Sequence, residues 1–389
     1  MIHWPVFSPN DPKALKYLKL FFALHLAVMI MMVMTWVMGG VGLFGNRDFI
    51  GFWAASRLLH DRHPEWAYDY HLNALAHATF PGSLTPFGWI HPPTTFLLYW
   101  PLGVMPCNLA WGLFVVATTG FLLLVIRRII DTKLAFWATL ASPALAFNAW
   151  NGQSGALNAA FLGLALLTME KRPLTAGLNG ALLACKPHLS AVLFLVELLH
   201  CRKALAFTLL IILALAGLAT CYMGLPIWQV WWHSMPLNDF ATSNAGRLQI
   251  YDRLASIFAV ARYDGLGVTQ SWIPHAIAAL SAVAIVVALW RKPNVAFDIK
   301  AAAVPLATLL LSPYLFYYDY VLVLPGLAFW MRHICRNGSK AGEMHLMMGV
   351  WLSSMWVYFS GSFLHRIPLP QMLLLAALFF LLRRDREQP

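Results

Sequence analysis

Apolar runs recur along the whole chain, and the short polar breaks between them carry basic residues. Seven clusters stand out: Lys13/Lys16/Lys19, Arg127/Arg128/Lys133, Lys171/Arg172, Arg202/Lys203, Arg291/Lys292/Lys300, Arg332/Arg336/Lys340 and Arg383/Arg384/Arg386. A helix needs about 20 apolar residues to cross the hydrocarbon core, and cytoplasmic loops collect Lys and Arg. If all seven clusters share that side, an even number of crossings separates each from the next. The pattern then predicts spans near 18–43, 108–126, 134–150, 156–169, 204–222, 271–290, 299–313, 320–331, 345–361 and 367–382. Residues 1–17 and 383–389 fall inside, while 44–107 and 223–270 form two large outer segments.

Two stretches need a further argument. His91 to Met105 (HPPTTFLLYWPLGVM) is apolar but only 15 residues long, and a crossing there would carry Arg127 and Arg128 outside. It reads as a re-entrant or interfacial piece of the first outer segment, held by Pro92, Pro93, Pro101 and Pro106. Leu174 to Leu199 has 26 residues, interrupted by Lys186-Pro187, with basic clusters on both flanks. Two short helices meeting at Lys186-Pro187 satisfy the charge rule where one crossing violates it, because proline ends the first helix. The expectation is an all-α polytopic membrane protein with about twelve spans, a single membrane domain over residues 1–389. Asp48 to Arg62 puts Phe49, Phe52, Trp53 and Ser56 on one helical face, which suits a helix lying on the membrane surface. Tyr68 to Phe80 and Ile227 to Trp232 read as further interfacial pieces.

Composition agrees with the pattern. The chain is 60% apolar and 11% charged, with a mean hydropathy of +0.65, which excludes an ordinary soluble globular protein. Its net charge of +11 would suggest nucleic acid in a soluble protein. Sorted by the predicted topology, that excess lies wholly on the inner side and the outer side is neutral. It is a topology signal, and no nucleic-acid partner is expected. Leu20 to Phe44 is too long for a signal-peptide core and reads as a retained first span. The five cysteines are odd in number and scattered, so neither a disulfide framework nor a zinc site is expected. No P-loop, GxSxG or strand-linked GxGxxG is present, which leaves ATP-driven and nucleotide-sugar chemistry unsupported.

The polar residues left after removing the spans gather on the outer face. Asp48 stands at the start of the first interfacial helix, as an N-cap carboxylate or as a general base at the water–lipid boundary. Lys186 lies inside an apolar stretch, where a charge is costly and marks function by default, unless it snorkels to the interface; His188 is its possible companion. Asn148 to Asn158 (NAWNGQSGALN) is a turn or a ligand loop, with Gln153 and Asn158 able to bind hydroxyls. Tyr317, Tyr318 and Asp319 form a sugar-hydroxyl site or an aromatic belt with one carboxylate. Arg247, Tyr251, Asp252 and Arg253 belong to the second outer loop, solvated or reaching an anionic phosphate. His60, His63, His71, His77 and His91 cluster in the first outer segment without an HExxH, and no metal is expected.

These pieces, in this order, resemble the polytopic glycosyltransferases of the GT-C superfamily, specifically glycosyltransferase family 87. The resembling residues are Asp48-Phe49 through Trp53-Ala54-Ala55, Tyr68-Asp69, and His91-Pro92-Pro93-Thr94-Thr95 through Pro101-Leu102. They continue with Asn151-Gly152-Gln153, Ala176-Gly177 through Lys186-Pro187, Arg247-Leu248-Gln249, Ser256-Ile257-Phe258, and Ser312-Pro313-Tyr314 through Tyr320. The resemblance implies an inverting transfer from a polyprenyl-phosphate sugar, with mannose as the default, to a lipid or glycan hydroxyl. The work would take place at the outer face of a bacterial inner membrane, with both termini cytoplasmic. It further implies Asp48 as catalytic base, with Lys186, Arg253, His91 and His188 around the donor phosphate. Gln153, Asn158, Tyr318, Asp319, Arg57 and Arg247 would take the sugar or acceptor. No cofactor or metal is implied beyond the lipid-linked substrate, the partners are the two substrates and membrane lipids, and the chain is expected to be a monomer. Mannosyltransferases of the family often carry His where this chain has Tyr320. The competing readings are a secondary transporter or lipid or glycan flippase, which predicts related halves, and an O-antigen ligase or polymerase-like enzyme, which places its polar loop late.

Overall fold

The computed structural model describes residues 12–39, 48–78, 89–235, 254–359 and 367–386. Helices dominate, and no strand is formed among the described residues. The first, α1 (Pro12–Gly39), begins earlier than the predicted span because a proline suits the first helical turn. The first outer segment holds α2 (Phe49–His60), α3 (Tyr70–Ala78) and α4 (Thr94–Tyr99), the last running into a 3-10 turn over Trp100–Val104. Neither piece of 91–105 is long enough to cross a membrane.

Then comes α5 (Cys107–Ile129). The predicted span 134–150 is two helices, α6 (Lys133–Leu140) and α7 (Pro143–Asn151). Ser142 accepts from the Leu145 amide and Pro143 takes the first helical position, so a new helix starts there. After α8 (Gly155–Thr168) the Lys186-Pro187 break separates α9 (Pro173–Leu183) from α10 (Pro187–His200), as the charge rule predicted. The two close into a hairpin: His200 Nε2 lies 2.9 Å from Glu170 Oε1, and the Cys201 thiol donates to the Met169 carbonyl. Lys186 is therefore at the hairpin tip.

The chain continues through α11 (Arg202–Met223), α12 (Pro226–Ser234), α13 (Ile257–Tyr263) and α14 (Val268–Arg291). It ends with α15 (Phe297–Leu311), α16 (Val323–Asn337), α17 (Glu343–Phe359) and α18 (Leu369–Arg386). A 3-10 turn over Tyr317–Leu322 leads into α16, so that helix starts later than the predicted span.

Among the described residues, three helices are long and apolar enough to cross a membrane by length and composition: α5, α11 and α14. They stand at the rim, and only 17% of the apolar stretch of α11 is buried. Every residue of α15 from Asp298 to Leu310 is buried instead, at the centre of the main apolar core. One end of the bundle gathers the basic clusters. There Arg332 donates to both Asp298 carboxylate oxygens and to the Ile129 carbonyl, and Arg384 meets Glu343 at 2.6 Å.

One expectation changes. The apolar face of α2 does not lie open to lipid: Phe49, Phe52 and Leu59 are buried among Trp89, Phe96, Tyr99 and Phe114. The Ser56 hydroxyl donates to the Tyr99 carbonyl and the Trp53 indole to the Met105 carbonyl, tying α2 beneath residues 94–105. Aromatic side chains that sequence reasoning assigned to lipid headgroups find a protein partner of the same chemistry.

Candidate active site

The other end of the bundle brings together three segments far apart in sequence. The first is the head of α2. Asp48 occupies the N-cap position but makes no side-chain cap hydrogen bond. Its Oδ2 accepts from Gln153 Nε2 at 2.6 Å, and the Tyr318 hydroxyl donates to the same carboxylate. Burial first, then the charges of Asp48 and Asp319, hold the Tyr318 phenol well above its ordinary pKa, so it remains a donor.

The second segment is the turn between α7 and α8, which holds Gln153. Gly152 ends α7 in the left-handed region at φ 61°, a conformation glycine adopts without strain. A Cβ on Gly152 would stand 2.5 Å from Phe49 Cβ, so the turn presses against the first residue of α2. A Cβ on Gly155 would meet the Tyr318 carbonyl at 2.9 Å. These two glycines let α2, the turn and the Tyr317–Leu322 turn share one small space. Asn151 Nδ2 donates to the Tyr317 hydroxyl at 3.1 Å, and Asn148 Oδ1 accepts from the Ala156 amide, which holds the turn in place.

The third is the α9–α10 hairpin tip. Lys186 Nζ lies 3.3 Å from Asp319 Oδ1 and 5.8 Å from the centroid of the Tyr318 ring. Both ends of the ion pair are buried, at 8% and 1% exposure, so the pair stands or falls together. The second Asp319 oxygen accepts from the Phe316 amide. The Thr95 hydroxyl donates to the Cys185 carbonyl, docking the tip against α4. His91 is close enough for Lys186 and His188 to act on it, and its ring stacks on Phe52 at 5.5 Å. Burial, then these two neighbours, depress the His91 pKa well below the usual histidine value, so it is neutral at pH 7.

Tyr318 is thus shared: its hydroxyl serves the carboxylate and its ring faces the cation. A half-buried carboxylate with two donors aimed at it can be oriented to take a proton. A buried ammonium nearby can stabilise an anion formed at the same place.

Asp48, Gln153, Lys186, His91, His188, Tyr318 and Asp319 converge. Two other candidates do not join them. Asn158 is buried in α8 and donates to Ser154 Oγ one turn earlier. Arg57 is exposed on the outward face of α2, 3.6 Å from Asp61. Arg247 and Arg253 lie outside the described residues, although Leu254, next after Arg253, bridges to Phe316 beside the site. Asp319 is engaged by Lys186 and by the Phe316 backbone amide. Sequence reasoning quoted the segments that hold Thr95, Asn148 and Asn151 but not the contacts these residues make.

A family model described as glycosyltransferase family 87 matches residues 89–313, more than half of the chain. The match contains His91, Gln153 and Lys186, while Asp48 and Tyr317 to Tyr320 flank it. No curated protein and no solved structure matches.

Proposed function

The chain belongs to glycosyltransferase family 87 and is a membrane glycosyltransferase; from that premise we propose that it transfers a sugar from a polyprenyl-phosphate donor to a lipid or glycan hydroxyl, with inversion. The observation that carries the proposal is the placement of Asp48 and Lys186 on two sides of Tyr318. An inverting displacement needs a base on one face of the anomeric carbon and a charge sink on the other. Asp48 takes the proton of the acceptor hydroxyl, whose oxygen bonds to the anomeric carbon. The bond from that carbon to the polyprenyl phosphate breaks, and the phosphate departs as a dianion toward Lys186.

Each neighbour then has a role. Gln153 and Tyr318 orient the carboxylate through their hydrogen bonds. Asp319 keeps Lys186 at the hairpin tip, and neutral His91 and His188 offer donors to the phosphate. Arg247 and Arg253 complete the donor and acceptor contacts from the second outer loop. The leaving group is a monophosphate, so a cation held by the protein meets its charge and the scheme requires no metal. Mannose is the default sugar.

In the membrane, about twelve spans would place the basic end in the cytoplasm, with both termini, and the site at the periplasmic side. The ion pairs among the acids and bases of one end support that reading, because each set of partners lies on the side the charge rule assigns it.

The test is transfer by the purified full chain, supplied with labelled polyprenyl-phosphate hexoses and pentoses and with membrane lipids. Consumption of one such donor, with a product of opposite anomeric configuration, is expected. Retention of configuration, or turnover with nucleotide sugars alone, would refute the scheme.

A further inference from the structure

Asp48 and Ser154 share a peculiarity: each holds the N-cap position of its helix, and neither side chain makes a cap hydrogen bond. A serine at that position ordinarily accepts from an amide of the first turn. In α8 that duty passes to Asn148, whose Oδ1 accepts from the Ala156 amide. The Ser154 hydroxyl is thereby released for other contacts.

Those contacts form a string. Asn158 Nδ2 donates to Ser154 Oγ at 3.2 Å, which leaves the hydroxyl proton for the Tyr99 phenol, the other side-chain partner of Ser154. Tyr99 is itself fixed: its carbonyl accepts from the Ser56 hydroxyl at 2.8 Å, and its ring packs on Phe52 at 4.7 Å. Ser56 and Phe52 belong to α2, the helix that Asp48 heads. Tyr99, Ser154 and Asn158 are all buried, so water does not compete for these bonds.

The string ends on the amide of Gln153. A glutamine amide has a donor end and an acceptor end. With Nε2 toward Asp48 it makes a hydrogen bond; with Oε1 toward Asp48 two acceptors repel. The Ser154 backbone amide donates to Gln153 Oε1 at 3.4 Å, and this leaves Nε2 for Asp48 Oδ2 at 2.6 Å. We propose that Ser154 is a positioning residue: clamped between Asn158 and Tyr99, it selects the orientation of the Gln153 amide that presents a donor to Asp48. The inference rests on the reading of Asp48 as the base, and it adds residues that act through Gln153 and touch no substrate.

The experiment reads Asp48 in two ways on the full chain. One is the pH dependence of kcat; the other is the isotope-edited infrared band of labelled aspartate carboxylates, with Asp48→Asn assigning the band. Tyr99→Phe removes one oxygen, Ser154→Ala removes the hydroxyl held by both fasteners, and a thermal profile accompanies each. Losing a donor disfavours the charged carboxylate. Both variants should therefore titrate Asp48 at higher pH than the parent, and the acid limb of kcat should move with it. kcat should fall about tenfold, inside the 10²-fold that a displacement of about 1 Å costs, with donor KM within about twofold of the parent. Should Ser154→Ala fail to fold, Tyr99→Phe alone carries the comparison. Parent titration and parent turnover in the folded variants would overturn the proposal. So would lost turnover with the Asp48 band in place, which would make the string a packing feature only. The band is read without substrate: if the parent uses no polyprenyl-phosphate sugar, the function assigned above fails while the titration still decides this inference.

Discussion

The helices at the centre of the bundle and those at its rim answer to different constraints. At the rim, α5, α11 and α14 have 23, 22 and 24 residues, lengths that cover a bilayer. Their side chains turn outward: Leu213 of α11 is 69% exposed and Leu280 of α14 is 68% exposed. At the centre, α8 and α10 have 14 residues and α15 and α16 have 15. At 1.5 Å per residue these reach about 21–23 Å, roughly 7–9 Å short of the hydrocarbon thickness. The shortfall is where the site lies. Gly155 at the head of α8, Lys186 at the head of α10 and the turn leading into α16 meet at one level, and α2 with residues 94–105 roofs them. The short helices end at the level of the site, and the long rim helices are the ones whose side chains turn outward.

The contrast can be broken by substitution. Lys186→Met leaves Asp319 buried and unpaired, and should cost about 3–5 kcal/mol in unfolding measured in detergent. Adding Asp319→Leu should restore most of it, whereas Lys203→Met, on the exposed start of the rim helix α11, should stay within about 0.5 kcal/mol. A cost for Lys203→Met equal to that of Lys186→Met would erase the distinction between centre and rim. Leu306→Ala, inside buried α15, should cost about 2–5 kcal/mol by opening a cavity. Leu213→Ala should cost less than about 0.5 kcal/mol, because its contacts are with lipid.

A further effect concerns His91. Its folded pKa lies below the ordinary value of 6.5, so below that pH the unfolded chain binds a proton that the folded one does not. Stability should therefore fall as pH drops through 6.5, by less than about 1.4 kcal/mol per pH unit for this one group. His91→Phe should flatten that part of the profile, and an unchanged slope would place the titrating group elsewhere.

Much of this arrangement was readable from the chain. Helix positions followed from apolar runs, and the break at Lys186-Pro187 followed from basic residues on both flanks combined with proline chemistry. The break at Ser142-Pro143 was legible in principle as a cap followed by a first-turn proline, but an unbroken apolar run concealed it. The pairings of the site were not legible. Gln153 meets Asp48 across 105 residues and Lys186 meets Asp319 across 133, and no local periodicity encodes such distances. Composition marked Asp319 as polar among tyrosines, yet nothing in it pointed to the ion pair with Lys186. The face of α2 misled for a physical reason: Trp and Phe suit a headgroup region and an aromatic core equally well.

The central claim is that Asp48 is the proton acceptor of the transfer, oriented by Gln153 and Tyr318. Turnover of Asp48→Asn with a polyprenyl-phosphate sugar tests it most directly, alongside donor binding and a thermal profile of the same preparation. The amide keeps the shape but cannot take the proton. Turnover should fall at least 10²-fold, the low end for a general base, with donor binding and stability close to the parent. Turnover near the parent level in a folded, donor-binding Asp48→Asn protein would contradict the account.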